Sequence, residues 1–124
     1  MTLAYWVLLL SFFVPYACAG LAKGGRRDYD NANPRAWLAA LDGWRARAHA
    51  AMANTFEALP FFAAAVIVAH QRGAPQDRLD GLAIAWLILR LLYVAAYVTN
   101  RATPRSLIWI LALAVTAWIF LLEA

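Results

Sequence analysis

The segment RARAHAAMANTFEALPFFAAAVIVAH, from Arg45 to His70, decides how this chain folds. Its second half is apolar enough to lie in lipid, because about 20 mainly apolar residues suffice for a helix that crosses the hydrocarbon core of a bilayer. Asn54 and Glu57 nevertheless stand where the apolar part begins. An amide and an acid at that depth require partners, because lipid tails offer no hydrogen bonds.

The composition of the whole chain agrees with a membrane environment. The 124 residues are 65% hydrophobic and only 15% charged. A soluble domain of this size could not bury so much apolar surface, which favours the bilayer as solvent. The hydropathy pattern predicts helices at about 2–22, 43–71, 78–99 and 105–122. We therefore expect one integral membrane domain over residues 1–124, an all-α bundle of four transmembrane helices.

The positions of the basic residues predict the orientation. Most of the 11 Lys and Arg residues lie in the first and third connections, from residue 23 to 47 and from 101 to 105. Cytoplasmic loops carry an excess of such residues, so both connections are predicted to face the cytoplasm and both termini to lie outside it. These cations are spread over membrane-proximal ends rather than one soluble face, which argues against nucleic acid as a partner.

The first apolar segment could also be read as a cleaved signal peptide, because PYACAG contains small residues at Ala17 and Ala19. No Lys or Arg precedes the apolar run, however, and the positive charges follow it, which is the reverse of a signal peptide. We therefore expect it to be the first transmembrane helix. The histidines, His49 and His70, have no metal-ligand spacing with an acid or with Cys18, and no metal site is predicted.

Polar residues form one stripe on each of the two central helices. The members are Arg47, Asn54 and Glu57 on the second helix and Arg90, Tyr93, Tyr97 and Arg101 on the third. At 100° per residue each set shares a face. The two helices run in opposite directions, so Glu57 and Arg90 should lie at similar depths. A charged side chain near the bilayer centre costs roughly 2.5–3.5 kcal/mol, so both are expected to face the bundle interior.

Two interpretations of these stripes remain open. In the first, Glu57 and Arg90 neutralise each other inside a closed hydrogen-bonded core. In the second, the arginines of this layer outnumber its acid and form a pocket for an anionic ligand. The second interpretation is favoured by four arginines against a single glutamate, Glu57: Arg47, Arg90, Arg101 and Arg105.

These motifs resemble those of the MAPEG family, the membrane-associated proteins of eicosanoid and glutathione metabolism. The pattern R…N-x-x-E-x-x-P, which ends at Pro60, is similar to the signature of the family's second helix. RLLYVAAYVTNRATPRS, from Arg90 to Ser106, is similar to its third helix and following turn, and NANP, from Asn31 to Pro34, to its first cytoplasmic loop. The chain looks especially like the short bacterial members.

The resemblance implies a homotrimer in the bacterial inner membrane that binds glutathione between neighbouring subunits near the cytoplasmic side. It further implies a glutathione transferase or peroxidase acting on apolar electrophiles or lipid hydroperoxides, with Arg105 beside the thiol and Ser106 as an additional donor. The residues implied in glutathione binding are Arg47, Asn54, Glu57, Arg90, Tyr93 and Tyr97. An arginine next to sulfur stabilises the thiolate, which is the reactive form.

Other functions remain as alternatives. Ala50 stands where the family's better-known enzymes have an arginine, and only Lys23 or Arg26 approximates their arginine at the end of helix one. These departures favour a non-catalytic protein of the same fold that binds lipid or a partner protein. A cation exporter with Glu57 as its proton-coupled acid is a third class. The surrounding arginines argue against it, because they would repel a cationic substrate.

Overall fold

A computed structural model describes residues 1–123 of the chain, and this part is helical without any strand. The prediction of an all-helical chain is confirmed, and four helices are long and apolar enough to cross a membrane. The helices in chain order are α1 (Leu3–Ser11), α2 (Val14–Lys23), α3 (Pro34–Ala39), α4 (Gly43–Gln71), α5 (Gln76–Val98) and α6 (Ala102–Phe120).

The first span is broken, whereas the sequence predicted one uninterrupted helix. It consists of α1 and α2, separated by a turn at Phe12 and Phe13. Pro15 explains the break, because it has no N–H to donate to the carbonyl of Ser11 and its ring crowds that carbonyl. Together the two segments still form an apolar span of 21 residues. Pro60, in contrast, lies within α4 without ending it.

The remaining spans lie close to the predicted bounds. α4 begins at Gly43 and ends at Gln71, as expected, while α5 and α6 begin two and three residues earlier than predicted. Asn100 ends α5 in the left-handed conformation, with φ of 60°, and the N–H of Arg101 then donates to the carbonyl of Ala96. This C-terminal cap turns the chain tightly into α6.

Aromatic stacking and small residues pack the bundle. The rings of Phe62 on α4 and Trp86 on α5 are stacked, with centroids 3.9 Å apart and an interplanar angle of 3°. Buried alanines, such as Ala65 and Ala83, allow neighbouring helices to approach closely, which is how membrane helices gain packing energy. Large apolar side chains such as that of Trp118 are exposed on the outside, as expected for a surface that contacts lipid.

Two arginines in the first turns of α4 hold the helix ends together. Nη1 of Arg45 donates to the carbonyl of Ala22 at 3.0 Å, and Nε of Arg47 donates to the carbonyl of Val98 at 3.1 Å. These carbonyls lie at the C-terminal ends of α2 and α5, where backbone oxygens lack helical partners and the helix dipole is negative. The start of α4 is thereby fixed against both neighbouring helices.

Candidate functional site

Two adjacent cavities open among α4, α5 and α6. The small cavity has a volume of about 160 Å³, and its lining comprises Asn54, Glu57, Ala58, Phe61, Trp86, Arg90, Trp109, Leu113 and Thr116. The large cavity has a volume of about 420 Å³, and its lining comprises Asn54, Tyr93, Tyr97, Arg105, Ser106, Trp109 and Ile110. Asn54 and Trp109 line both and therefore form their common wall. Along α6, Arg105 and Thr116 are about 16 Å apart at 1.5 Å per residue, so the small cavity extends deeper into the span.

Arg90 is the buried charge of the site. Its side chain is only 2% exposed, and Nη1 donates to Oδ1 of Asn54 at 2.8 Å. The guanidinium carbon lies 5.3 Å from the ring centroid of Trp86 and 4.6 Å from that of Tyr93, within the range of cation–π attraction. Nε is buried without a hydrogen-bond partner. An amide and two aromatic faces thus surround the cation, and none of them neutralises its charge.

Glu57 does not supply that neutralising charge. Among residues 1–123 the ion pair within 4.0 Å is that of Arg26 and Asp28, so Glu57 and Arg90 are not paired. The expectation that Glu57 faces the interior of the bundle is wrong for the isolated chain, because its side chain is exposed while it lines the small cavity. Thr55 and Leu59 are buried two residues to either side, and two residues turn a helix by 200°, which puts Glu57 on the opposite face.

Tyrosines and an arginine shape the large cavity. The rings of Tyr93 and Tyr97 meet edge to face with centroids 5.7 Å apart. The guanidinium carbon of Arg105 lies 4.5 Å from the ring centroid of Tyr97, which holds this cation against the cavity wall. Ser106 is exposed beside it. The large cavity therefore combines a partly buried cation with hydroxyl groups, a set suited to a polar, anionic ligand.

The structure divides the predicted site residues between the cavities. Tyr93, Tyr97, Arg105 and Ser106 line the large cavity, Glu57 and Arg90 line the small one, and Asn54 lines both. Arg47 lines neither, because its guanidinium is engaged with the end of α5.

The approximate equivalents of the family's helix-one arginine also lie outside both cavities. Lys23 donates to the hydroxyl of Tyr29 at 3.1 Å, and Arg26 is paired with Asp28. Neither side chain is therefore placed to contact a ligand in the small or the large cavity.

Seven lining residues were not predicted from the sequence: Ala58, Phe61, Trp86, Trp109, Ile110, Leu113 and Thr116. Trp109 lies four residues after Arg105 and Trp86 four residues before Arg90, so helical spacing from the predicted arginines could have found both. Phe61 and Thr116 carry no such signal, because apolar residues and threonines are common throughout these spans. No group of three or more His, Cys, Asp or Glu residues that could hold a metal ion occurs in the described chain.

The sequence was compared with protein-family models, and the model of the MAPEG family matches residues 3–124. The chain belongs to the MAPEG family. Comparison of this MAPEG protein with curated proteins and with solved structures gives no significant match. Family membership and the four apolar helices together identify it as an integral membrane protein. The resemblance seen in the Asn54–Glu57 and Arg90–Ser106 motifs is thereby confirmed.

Proposed function

We propose that this MAPEG protein binds glutathione and conjugates it, through its sulfur, to apolar electrophiles, or uses it to reduce lipid hydroperoxides. The observation that carries the proposal is that Glu57 and Arg90 line one cavity without forming an ion pair. The γ-glutamyl end of glutathione bears one ammonium and one carboxylate. Such a zwitterion complements an unpaired acid and an unpaired arginine, whereas a single-charge ligand would leave one of the two without a partner.

The volumes of the cavities agree with a peptide that extends through both. A dry cavity of about 150 Å³ holds a molecule of benzene size, so the small cavity has room for one end of the peptide only. The large cavity falls within the range of about 300–1,000 Å³ that is usual for ligand pockets. We place the γ-glutamyl end in the small cavity and the cysteinyl-glycine part in the large one, with Asn54 between them.

Arg105 is the proposed thiolate-stabilising residue. Lowering a thiol pKa by two units from about 8.5 takes roughly 2.7 kcal/mol, which a partly desolvated cation can supply. Ser106 is placed in the same cavity and offers a further hydroxyl donor. In the transferase reaction the thiolate sulfur attacks the electrophilic carbon, the S–C bond forms, and the displaced electron pair leaves on the leaving group or is protonated by water.

The exposed carboxylate of Glu57 supports assembly with further copies of the chain. A carboxylate facing lipid costs several kcal/mol, and covering it with a neighbouring subunit and a bound ammonium removes that cost. We therefore propose the homotrimer implied by the family, with glutathione held between neighbours. In the proposed orientation the large cavity opens toward the cytoplasm, both termini lie outside it, and the membrane is the bacterial inner membrane.

Thiolate formation tests the proposal directly. Glutathione added to the purified protein in detergent should produce saturable ultraviolet absorbance of the thiolate, and Arg105→Ala should abolish it. Arg101→Ala is the matched control, since Arg101 is exposed at the same helix end and lines neither cavity. Wild-type protein that binds glutathione without thiolate absorbance would refute the proposed role of Arg105.

A non-catalytic protein that binds lipid or a partner is the second candidate. It is favoured by Ala50 and by Arg47, whose guanidinium is occupied at the end of α5 rather than directed into a cavity. Glutathione that binds only the folded protein must raise its melting temperature. An unchanged melting temperature at millimolar glutathione would favour this second candidate.

A further inference from the structure

One end of the bundle concentrates positive charge. This basic end comprises the C-terminal ends of α2 and α5, the connection between α2 and α4, which contains α3, and the N-terminal ends of α4 and α6. Its charged residues have a formal net charge of +5 and are Lys23, Arg26, Arg27, Arg35, Arg45, Arg47, Arg101 and Arg105, with Asp28, Asp30 and Asp42 as the acids. The opposite end has Arg72 and Arg78 against three acidic side chains. The charge of the whole chain therefore resides mainly at one end.

The connection between α2 and α3 is folded into a defined shape. Nζ of Lys23 lies 4.4 Å from the ring centroid of Tyr29, and the Tyr29 ring meets the Trp37 ring edge to face at 5.1 Å. The guanidinium carbon of Arg26 lies 5.5 Å from the ring centroid of Trp37. Leu38 is buried near Ala22 and anchors α3 to the bundle. The exposed residues of this connection are therefore presented on an ordered surface.

Two acids of the basic end are already engaged locally. Both carboxylate oxygens of Asp28 accept from the guanidinium of Arg26, at 2.8 and 2.7 Å, and these bonds hold the pKa of Asp28 below its usual range. Asp30 accepts from Nδ2 of Asn33 and from the N–H of Ala32, and these bonds lower its pKa as well. These carboxylates therefore do not neutralise the other cations of the basic end.

Arg27, Arg35 and Arg101 are the cations that remain. All three are exposed, and none of their side chains makes a hydrogen bond or an ion pair with residues 1–123. Arg27 lies within the ordered connection and Arg35 at the start of α3, and Trp44 lies exposed at the start of α4, where the aromatic belt of a membrane protein meets the lipid headgroups. Exposed cations at headgroup depth are placed to contact the phosphates of the bilayer.

We propose that the basic end binds the headgroup phosphates of anionic phospholipids, chiefly through Arg27 and Arg35. Lys/Arg clusters next to a membrane span attract anionic lipid, and each cation raises the association constant for that lipid about fivefold. Charge complementarity selects anionic over zwitterionic lipid, and the ordered connection reduces the entropy lost when a headgroup binds. This surface lies outside both cavities, so the inference is independent of glutathione binding.

Competition between lipids tests the proposal. The protein is reconstituted in phosphatidylcholine nanodiscs, and exchange of fluorescent phosphatidylglycerol onto it is measured by energy transfer from its tryptophans. Wild type should prefer phosphatidylglycerol, and the double variant Arg27→Gln, Arg35→Gln should lose up to about 25-fold of that preference. Arg78→Gln, at the opposite end, is the matched control and should retain it.

An unchanged preference in the double variant, or none in wild type, would overturn the proposal and leave the charge as an orientation signal only. Competition by inorganic phosphate as effective as that by phosphatidylglycerol would assign the surface to free anions instead. The glutathione thiolate absorbance is measured on the same samples, so failure of the lipid proposal and failure of the proposed enzyme function are distinguishable.

Discussion

The buried cation Arg90 leads to a prediction that separates a ligand-binding charge from a structural one. We expect Arg90→Met to cost the ligand-free protein less stability than Asn54→Ala does. The reason is that Arg90 has no acidic partner within 4.0 Å and only one hydrogen bond, to Asn54. Removing a poorly compensated buried charge is often neutral, whereas removing its partner leaves the charge without compensation.

The magnitude follows from the contacts. Arg90→Met loses a hydrogen bond to a charged group, about 1.5–3 kcal/mol, and two cation–π contacts of about 0.5–1 kcal/mol each. It gains the roughly 2.5–3.5 kcal/mol that an arginine costs inside a membrane span. The net change therefore lies between about 1 kcal/mol of stabilisation and about 2.5 kcal/mol of destabilisation, with its centre below about 1 kcal/mol of destabilisation. Asn54→Ala should cost about 1.5–3 kcal/mol, because the guanidinium then has no hydrogen-bond partner at all.

A double-mutant cycle in equilibrium unfolding provides the assay. Helical circular dichroism is followed as the mole fraction of SDS in mixed micelles is raised, with the exposed Arg78→Met as control. In the Arg90→Met background, Asn54→Ala should cost nothing, because the amide no longer serves a charge. The coupling energy should be about 1.5–3 kcal/mol. Equal costs of Asn54→Ala in both backgrounds, or a loss above about 3 kcal/mol for Arg90→Met alone, would refute the reasoning.

Three further variants test other contacts. Arg47→Gln should reduce the free energy of unfolding by about 1–2 kcal/mol, because the hydrogen bond to the Val98 carbonyl is lost. If glutathione affinity fell while the free energy of unfolding stayed the same, Arg47 would be a ligand contact instead. Asp80→Ala should speed hydrogen exchange at the Ala4 amide, which donates to Oδ1 of Asp80 at 2.8 Å and is in the first turn of α1, where an N–H has no helical partner. Unchanged exchange would show that this hydrogen bond does not protect the amide. Trp109→Ala should raise kcat/KM for bulky over small electrophiles by roughly tenfold, because the indole lines the large cavity, where we place the thiol that the electrophile must reach. An unchanged ratio would exclude contact between Trp109 and the electrophile.

The sequence by itself determined the class of fold and the family. Four apolar segments of near-spanning length leave helices as the simplest solution, because a helix satisfies its backbone hydrogen bonds internally in lipid. Helix bounds followed to within a few residues, since Gly43 and Pro75 mark helix starts. Two motifs were sufficient to indicate the MAPEG family: that from Asn54 to Pro60, which lies on α4, and that from Arg90 to Ser106, which runs from α5 through the turn into α6.

The tertiary structure alone decided which polar residues meet. Helical spacing put Arg47, Asn54 and Glu57 on one stripe, but the neighbouring helices gave them different partners. Arg47 is engaged by an α5 carbonyl, Asn54 by Arg90, and Glu57 remains exposed at the small cavity. The rotation of α4 is set by burial of Thr55, Leu59 and other core positions, which is a property of the packed bundle. The helical period fixes the angles between side chains along one helix. It does not determine which side chains or carbonyls of the neighbouring helices they contact.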